Sequence, residues 1–157
     1  MTWRGSTTTS DRVFACLPYL LPLVYGLPFG QFFFAQFPAL RLLFIPLAPF
    51  QAIASFPFAG LIIFFALFFL VIRNSSISHF IRFNTMQAIL LDIIIILCQV
   101  ILGLLGSTLG AGLLAQTLYN VIFLGMLACV VYSVAQSVLG RYAEIPTISD
   151  AVYMQVR

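Results

Sequence analysis

An all-α integral membrane protein, with four transmembrane helices and two short interfacial amphipathic helices, is the fold class that the sequence predicts. Of the 157 residues, 62% are hydrophobic and 7% are charged, against about 25% charged residues in a soluble domain. Such a chain cannot cover a water-exposed surface, which excludes a soluble enzyme and a disordered chain. The net charge of +3 is too sparse for a nucleic-acid-binding surface. We therefore expect a single four-helix domain embedded in a lipid bilayer.

The first predicted transmembrane helix covers residues 13–34, inside a charge-free stretch at residues 13–40. About 20 helical residues cross a hydrocarbon core of ~30 Å. Pro18 and Pro22 lack the backbone N–H of other helical residues, so both should kink this helix. The residues before it lack the pattern of a cleavable signal or transit peptide, and we expect the mature chain to begin at Met1.

The second charge-free stretch, residues 42–72, is too long for one span and too short for two. We divide this region into an interfacial helix at residues 38–51 and a transmembrane helix at residues 53–72. The interfacial segment contains Arg41 and three prolines. Its uninterrupted apolar pieces are therefore too short to cross a bilayer.

Four glycines between residues 103 and 112 interrupt the third charge-free stretch, residues 93–140. This interruption predicts two further spans, at residues 85–105 and 114–139, followed by a tail at residues 140–157. The G-x-x-x-G pattern from Gly106 to Gly110 falls in the predicted turn, which favours a helix C-cap over a dimerisation motif.

A second interfacial helix is predicted at residues 75–84, where Ser76 or Ser78 could provide the N-cap. Its apolar side chains fall on one helical face, at Ile77, Phe80 and Ile81. Its polar side chains fall on the opposite face, at Ser78, His79 and Arg82. This pattern is typical of a helix that lies in the headgroup region.

The distribution of arginines predicts the orientation in the membrane. With four spans, both termini and the connection between spans two and three share one side. Six of the seven arginines belong to that side: Arg4, Arg12, Arg73, Arg82, Arg141 and Arg157. The opposite side contains only Arg41. By the positive-inside rule, both termini face the cytoplasm or its organellar equivalent, the stroma.

Asp92 is the one ionisable residue that these spans place within hydrocarbon. A carboxylate at mid-membrane costs about 2.5–3.5 kcal/mol on insertion scales, so it is expected to face a bundle interior or a water-filled cavity. The helical face that contains Asp92 also carries small and polar residues: Thr85, Ala88, Gln99 and Gly103.

Two interpretations of Asp92 stay open. In the functional one, Asp92 belongs to a proton relay or a wetted polar path, whose other candidate residues are Gln99, Asn120 and Gln136. In the structural one, a protonated Asp92 hydrogen-bonds to a neighbouring helix, at Gln116, Asn120 or Tyr132. A lone carboxylate without a second charged group at the same depth makes a poor proton pump, which favours the structural interpretation.

A face of small and polar residues recurs at helical spacing on span four, at Gly125, Cys129, Tyr132 and Gln136. Small residues let a second helix approach closely, and a glutamine can hydrogen-bond across the contact. Packing within the chain is favoured here over a homo-oligomer contact.

The remaining reactive residue types predict neither catalysis nor a cofactor. The cysteines stand far apart in apolar runs, at Cys16, Cys98 and Cys129, and are interpreted as small hydrophobic residues. His79 is the single histidine, interpreted as a solvated interfacial residue, with a chlorophyll or metal ligand as the weaker alternative. The pattern indicates no catalytic residues, no metal site and no enzyme.

Three segments resemble a known protein family, the 20-kilodalton subunit family of the translocon at the inner envelope of chloroplasts. They read V-F-A-C-L-P-Y-L-L-P-L at residues 13–23, S-H-F-I-R-F-N-T-M-Q-A-I-L-L-D at residues 78–92, and A-E-I-P-T-I-S-D-A-V-Y-M-Q-V-R at residues 143–157. The tail resembles the cyanobacterial and plastid-encoded branch. The family motif in the second segment consists of His79, Phe80, Arg82, Phe83 and Asn84; plant members usually have histidine in place of Asn84.

This resemblance implies four helices with both termini on the stromal or cytoplasmic side, in agreement with the arginines. It implies a membrane-embedded subunit of a protein translocation or insertion machinery, located in a cyanobacterial plasma or thylakoid membrane or a plastid inner envelope. Plant members have been proposed to form the conducting channel. Because four packed helices fill their own centre with side chains, a channel would require a homo-oligomer or other translocon subunits around the polypeptide substrate.

Two other functions compete with translocation. An accessory or assembly subunit of a photosynthetic membrane complex would also consist of apolar helices with small-residue faces. Transport of ions or small solutes is less favoured, because the sequence shows no inverted repeat and no paired buried charges.

Overall fold

The computed structural model describes residues 6–157, which form helices and connections without a β-strand in that range. Three helical segments are long and apolar enough to cross a membrane: α1 (Thr9–Gln36), α4 (His79–Leu109) and α5 (Leu113–Val138). A fourth candidate span consists of α2 (Pro38–Ala54) and α3 (Ala59–Ile72), which meet at a bend of 97°. A short helix, α6 (Ile148–Gln155), follows near the C-terminus. The predicted all-helical fold with apolar membrane spans is confirmed.

Helix α1 begins at a capping box, four residues before the predicted span. The Thr8 hydroxyl accepts a hydrogen bond from the Asp11 N–H, and the Asp11 carboxylate accepts one from the Thr8 N–H. These two bonds satisfy backbone donors that a helix N-terminus leaves unpaired. Residues 1–5, which include the expected start at Met1 and Arg4, lie outside the described part of the chain.

Prolines shape the path of α1. Two 3₁₀ turns, Leu17–Tyr19 and Leu27–Gly30, interrupt its α-helical geometry. Pro18 and Pro28 each lie in the first two positions of one turn. A proline is tolerated there because the backbone N–H that it lacks has no partner within the turn. The expected distortion at Pro18 is confirmed. Pro22 instead lies in the first turn of an α-helical stretch, where a missing N–H costs little.

The second candidate span is broken where the sequence predicted a continuous helix at residues 53–72. Helix α2 ends at Ala54 and α3 begins at Ala59, after Pro57 and after Phe58 in a left-handed conformation with φ of 62°. At 1.5 Å per residue, α3 is about 21 Å long, shorter than a hydrocarbon core of ~30 Å. The predicted interfacial helix at residues 38–51 corresponds to most of α2.

Helices α4 and α5 form an antiparallel hairpin. Gly110 adopts a φ of 60°, which glycine tolerates, and its N–H donates to the Gly106 carbonyl at 3.1 Å. The predicted helix end in this glycine-rich turn is confirmed. At the other end of α4 the Ser78 hydroxyl accepts from the Ile81 N–H, so Ser78 is the N-cap.

The predicted separation between a surface helix at residues 75–84 and a span from residue 85 is not found. Helix α4 continues without a break through this region. Phe80 and Phe83 are buried against Tyr142 of the C-terminal tail, and Asn84 is buried between α1 and α5, so this segment is not a separate surface helix. The tail at residues 140–157, predicted only as an extension, contributes α6, whose Val152 packs against Phe83 in a second hydrophobic cluster.

Both ends of the described chain meet at one end of the bundle, which we call the terminal end. Thr7 contacts the Gly140 carbonyl, and the Arg12 guanidinium contacts the Val138 carbonyl. The opposite end, which we call the distal end, contains the α1–α2 connection and the α4–α5 turn. Packing is dense from the terminal end to mid-bundle, whereas the second half of α4 is open, with Leu104 77% exposed.

Candidate functional site

The predicted family motif at the start of α4 contacts the C-terminal tail. The His79 ring places Nδ1 2.9 Å from the Tyr142 hydroxyl and Nε2 3.4 Å from the Val156 carbonyl oxygen. His79 is therefore a half-buried bridge between α4 and the tail, and the predicted solvated histidine is wrong. Tyr142 precedes α6 and Val156 follows it. Because both residues contact the same imidazole ring, the tail covers this face of α4.

Arg82 joins three separate segments at the terminal end. Its Nε donates to the Ile72 carbonyl at the end of α3, at 2.7 Å. Its Nη1 donates to the carbonyl of Arg157 at 3.1 Å. A guanidinium suits this position because the last carbonyls of a helix lack intrahelical partners and carry partial negative charge.

The two phenylalanines of the motif pack against tyrosines of the tail. The Phe83 ring centroid lies 4.9 Å from those of both Tyr142 and Tyr153, and the Phe80 ring lies 5.1 Å from that of Tyr142. Tilted and edge-to-face pairs of this kind each contribute about 0.5–1.5 kcal/mol beyond their buried area.

Asn84, the last motif residue, is fully buried and hydrogen-bonds to three elements. Its Oδ1 accepts from the Tyr19 hydroxyl of α1 at 2.9 Å and from the Ser137 hydroxyl of α5 at 3.0 Å. Its Nδ2 donates to the Phe80 carbonyl. Asn84 therefore connects α1, α4 and α5.

Gln87 extends this network, and sequence analysis did not single it out. Its Nε2 donates to the Tyr19 and Ser133 hydroxyls, at 3.1 and 3.3 Å. Its Oε1 accepts from the Ser149 hydroxyl of α6 at 3.0 Å. The signal that could have revealed it is the helical spacing of polar residues, at Asn84 and Gln87 on α4.

These hydrogen bonds form a closed network, in which each side chain bonds to another member and is nine-tenths or more buried. Its members are Tyr19, Asn84, Gln87, Ser133, Ser137 and Ser149. A buried polar network that is satisfied in this way fixes the relative positions of its helices. Its role is to join α1, α4, α5 and the tail.

Asp92 is buried outside that network. It is 7% exposed, and its Oδ1 has no hydrogen-bond partner among residues 6–157. The expected bonds to Gln116, Asn120 or Tyr132 are not formed within the chain. Tyr25 of α1 lies close enough for an electrostatic interaction with the carboxyl, and the Tyr25 hydroxyl is itself buried without a partner.

The other three residues of the predicted polar path lie apart from Asp92. Gln99 is exposed on the second half of α4. Asn120 and Gln136 are half-buried near opposite ends of α5, and the Asn120 Oδ1 is unpartnered within the described chain. No hydrogen bond joins any two of these four residues in the part of the chain that the structure describes.

The small-residue face predicted on span four lies on α5, and at Gly125 it does not pack against the rest of the chain. No other atom lies within 4 Å of the position that a Cβ on Gly125 would occupy. Tyr132 on the same face is 41% exposed. The favoured intramolecular contact is therefore wrong at Gly125, which faces outward.

Two cavities flank the broken span. The terminal groove, of about 700 Å³, runs from Asp11 and Ser78 at the terminal end to Tyr25 and Ala54. The distal cavity, of about 650 Å³, continues from Tyr25 and Ala54 to Arg41. Both are bounded by α1 and by segments of the bent α2–α3 pair. Tyr25 lines both cavities and also lies near Asp92.

The fold and these features define a helical membrane protein, with three or four candidate spans, whose C-terminal tail packs on its third helical span. The family model described as "Chloroplast import apparatus Tic20-like" matches residues 9–152. The chain belongs to this Tic20 family.

Relatives of known sequence agree with this assignment. The chain is 52% identical over 149 residues to a Tic20 family protein of Synechocystis sp., covering 94% of this chain and 93% of that one. It is 35% identical over 154 residues to Protein TIC 20-II, chloroplastic, of Arabidopsis thaliana, covering 96% and 74%. It is 31% identical over 164 residues to the Tic20 family protein Ycf60 of Porphyra purpurea, covering 99% and 80%. Cyanobacterial, plant and red algal proteins are thus all similar to this chain.

Proposed function

We propose that this chain is a non-enzymatic subunit of a machinery that translocates or inserts proteins, with both termini in the cytoplasm or stroma. Family membership supports the machinery. The charge distribution supports the orientation, because among residues 6–157 the terminal end has Arg12, Arg73, Arg82, Arg141 and Arg157, whereas the distal end has Arg41 alone.

A polypeptide does not pass through the centre of this bundle. Tyr19, Phe83 and Phe123 fill the interior, each no more than 1% exposed. The buried polar network at the same depth is closed by its own hydrogen bonds. A translocating segment therefore contacts the outside of the bundle, in a space completed by a second copy or by other translocon subunits.

The terminal groove is the surface that we propose for this contact, and its position beside the broken span is the observation that carries the proposal. It leads from the polar Asp11 and Ser78 to mid-bundle. There Tyr25 lines the groove, and neither its buried hydroxyl nor the Oδ1 of nearby Asp92 has a hydrogen-bond partner among residues 6–157. The short α3 forms part of the wall, and a span shorter than the hydrocarbon core thins the bilayer around it. A thinner bilayer lowers the free energy that is needed to move a polar polypeptide segment across it.

In this proposal Asp92 provides a polar contact at the inner end of the groove. Gln99 lines the distal cavity, whereas Asn120 and Gln136 lie on α5 outside both cavities, and we propose that these two contact other subunits or a second copy. An amide in contact with lipid lacks hydrogen-bond partners, so an adjacent helix with polar groups stabilises it.

Site-specific photocrosslinking tests the groove. A benzoylphenylalanine replaces Ile53, which lines the terminal groove and is 54% exposed, or Val131, which lies on α5 outside both cavities and is 64% exposed. In native membranes that contain a translocation-arrested precursor, we expect precursor adducts from position 53 and not from position 131. Equal adduct yields at both positions would contradict the groove. Adducts with photosynthetic subunits alone would support the accessory-subunit function instead.

Thiol labelling tests the orientation. In a variant whose three cysteines are replaced by alanine, Ser75→Cys places a thiol at the terminal end and Ala39→Cys places one at the distal end. In intact cells, a membrane-impermeant reagent added outside should label position 39 alone. Labelling of position 75 alone would reverse the assigned topology.

A further inference from the structure

In the part of the chain that the structure describes, Arg41 is the single ionic residue of the distal end. The sequence has no other charged residue from residue 13 to residue 72, and none from residue 93 to residue 140. Asp11, Glu144 and Asp150 belong to the terminal end, and Asp92 lies in the middle of α4. The exposed Arg41 guanidinium therefore has no carboxylate of this chain at its own end of the bundle, and its counter-ion must come from outside.

The distal cavity lies directly beside this charge. Arg41 stands in its wall, together with apolar side chains such as Leu27, Phe34 and Phe44. The volume of about 650 Å³ falls within the range of about 300–1,000 Å³ that is typical of ligand cavities. A methylene group is about as large as a water molecule, roughly 30 Å³, so the cavity accommodates one long acyl chain.

We propose that the distal cavity binds one anionic phospholipid, with its phosphate at Arg41 and one acyl chain in the cavity. A guanidinium binds phosphate through two parallel hydrogen bonds, and its aliphatic stem can lie along apolar surface. Gln51 lines the same cavity, and its side-chain amide can donate a hydrogen bond to a glycerol ester. In a membrane protein the bilayer supplies this amphiphile at high local concentration. The site is independent of the proposed translocation role.

Lipid retention by the purified full-length chain tests this site. The protein is incorporated into nanodiscs of equimolar phosphatidylglycerol and phosphatidylcholine, and the lipids that stay bound after detergent extraction are counted by mass spectrometry. We expect the wild type to retain phosphatidylglycerol preferentially. Arg41→Gln should lower that preference about fivefold, which is the effect expected for the loss of one basic residue near an anionic lipid surface. Arg141→Gln, an exposed arginine at the terminal end, should leave it unchanged.

A second variant tests the acyl chain separately from the charge. Ala48 lines the distal cavity, so Ala48→Trp should fill the space without removing Arg41. With a phosphatidylglycerol that carries a diazirine in its acyl chain, the wild type should give adducts within residues 44–55, and Ala48→Trp should lose them. Thermal unfolding of each variant verifies that the fold is intact.

Three results of the lipid measurements would overturn the proposal. They are equal retention of both lipids by the wild type, an unchanged preference in Arg41→Gln, and acyl-chain adducts distributed around the whole bundle. Crosslinking of Arg41 to an acidic segment of a partner subunit, without lipid retention, would assign the counter-ion to a protein and would also overturn it.

Discussion

Replacing Gln87 by leucine should destabilise the bundle and release the C-terminal tail. Gln87 is fully buried and makes three hydrogen bonds, to Tyr19, Ser133 and Ser149. Side-chain hydrogen bonds between membrane helices contribute about 0.6 kcal/mol each on average. Loss of all three therefore lowers the free energy of unfolding by about 2 kcal/mol. Tyr19 keeps its bond to Asn84, so the largest change falls on α6, which loses its side-chain hydrogen bond to Gln87 of α4.

The assay is reversible unfolding in mixed detergent micelles, combined with limited proteolysis of the tail. Gln99→Leu is the matched control, because Gln99 is the same residue type on the same helix, is exposed, and lies outside the network. We expect less than about 0.5 kcal/mol from that change, as for surface substitutions generally. A Gln87→Leu variant as stable and as protease-resistant as Gln99→Leu would refute the assigned role of the network, because a well-packed leucine would then replace it without cost.

Three further perturbations have defined expectations. Gly30→Ala places a Cβ 2.7 Å from Phe34 and 2.9 Å from Phe123, which should cost about 1–3 kcal/mol through overpacking; Gly125→Ala, with open space around it, should be neutral or slightly stabilising in the same unfolding assay. His79→Ala removes the bridge to the tail, so hydrogen exchange should accelerate in α6 while α5 stays protected; unchanged exchange would contradict the bridge. Asp92→Leu breaks no hydrogen bond of the described chain, so the protein should accumulate normally and lose precursor transport; intact transport at normal abundance would remove Asp92 from the proposed path.

The structure also shows what the five residues of the predicted family motif contact. Its five residues contact the tail, the end of α3, α1 and α5, so one helical segment joins all elements at the terminal end. Asn84 bonds the Tyr19 and Ser137 hydroxyls, a position that another side chain with hydrogen-bonding nitrogen, such as histidine, could also fill. The resemblance identified these residues, whereas their hydrogen-bond partners in α1, α5 and the tail are 53 to 77 positions away along the chain.

Local features were predictable because their causes lie within a few residues. The length of apolar stretches determines how many helices reach across a bilayer. The missing N–H of Pro18 distorts α1, the φ of Gly110 ends α4, and the hydroxyl of Ser78 caps it, each by short-range chemistry. The clustering of arginines at one end follows from the order of the spans and required no tertiary contact.

Tertiary packing decided the features that depend on distant partners. In a membrane protein the lipid-facing and protein-facing surfaces are equally apolar, so hydropathy does not distinguish them. For this reason the outward orientation of Gly125, the bend between α2 and α3, and the burial of Phe80 and Phe83 beneath the tail were not predictable. Gln87 is bonded and Gln99 is exposed on the same helix, because α1, α5 and α6 surround only the first half of α4.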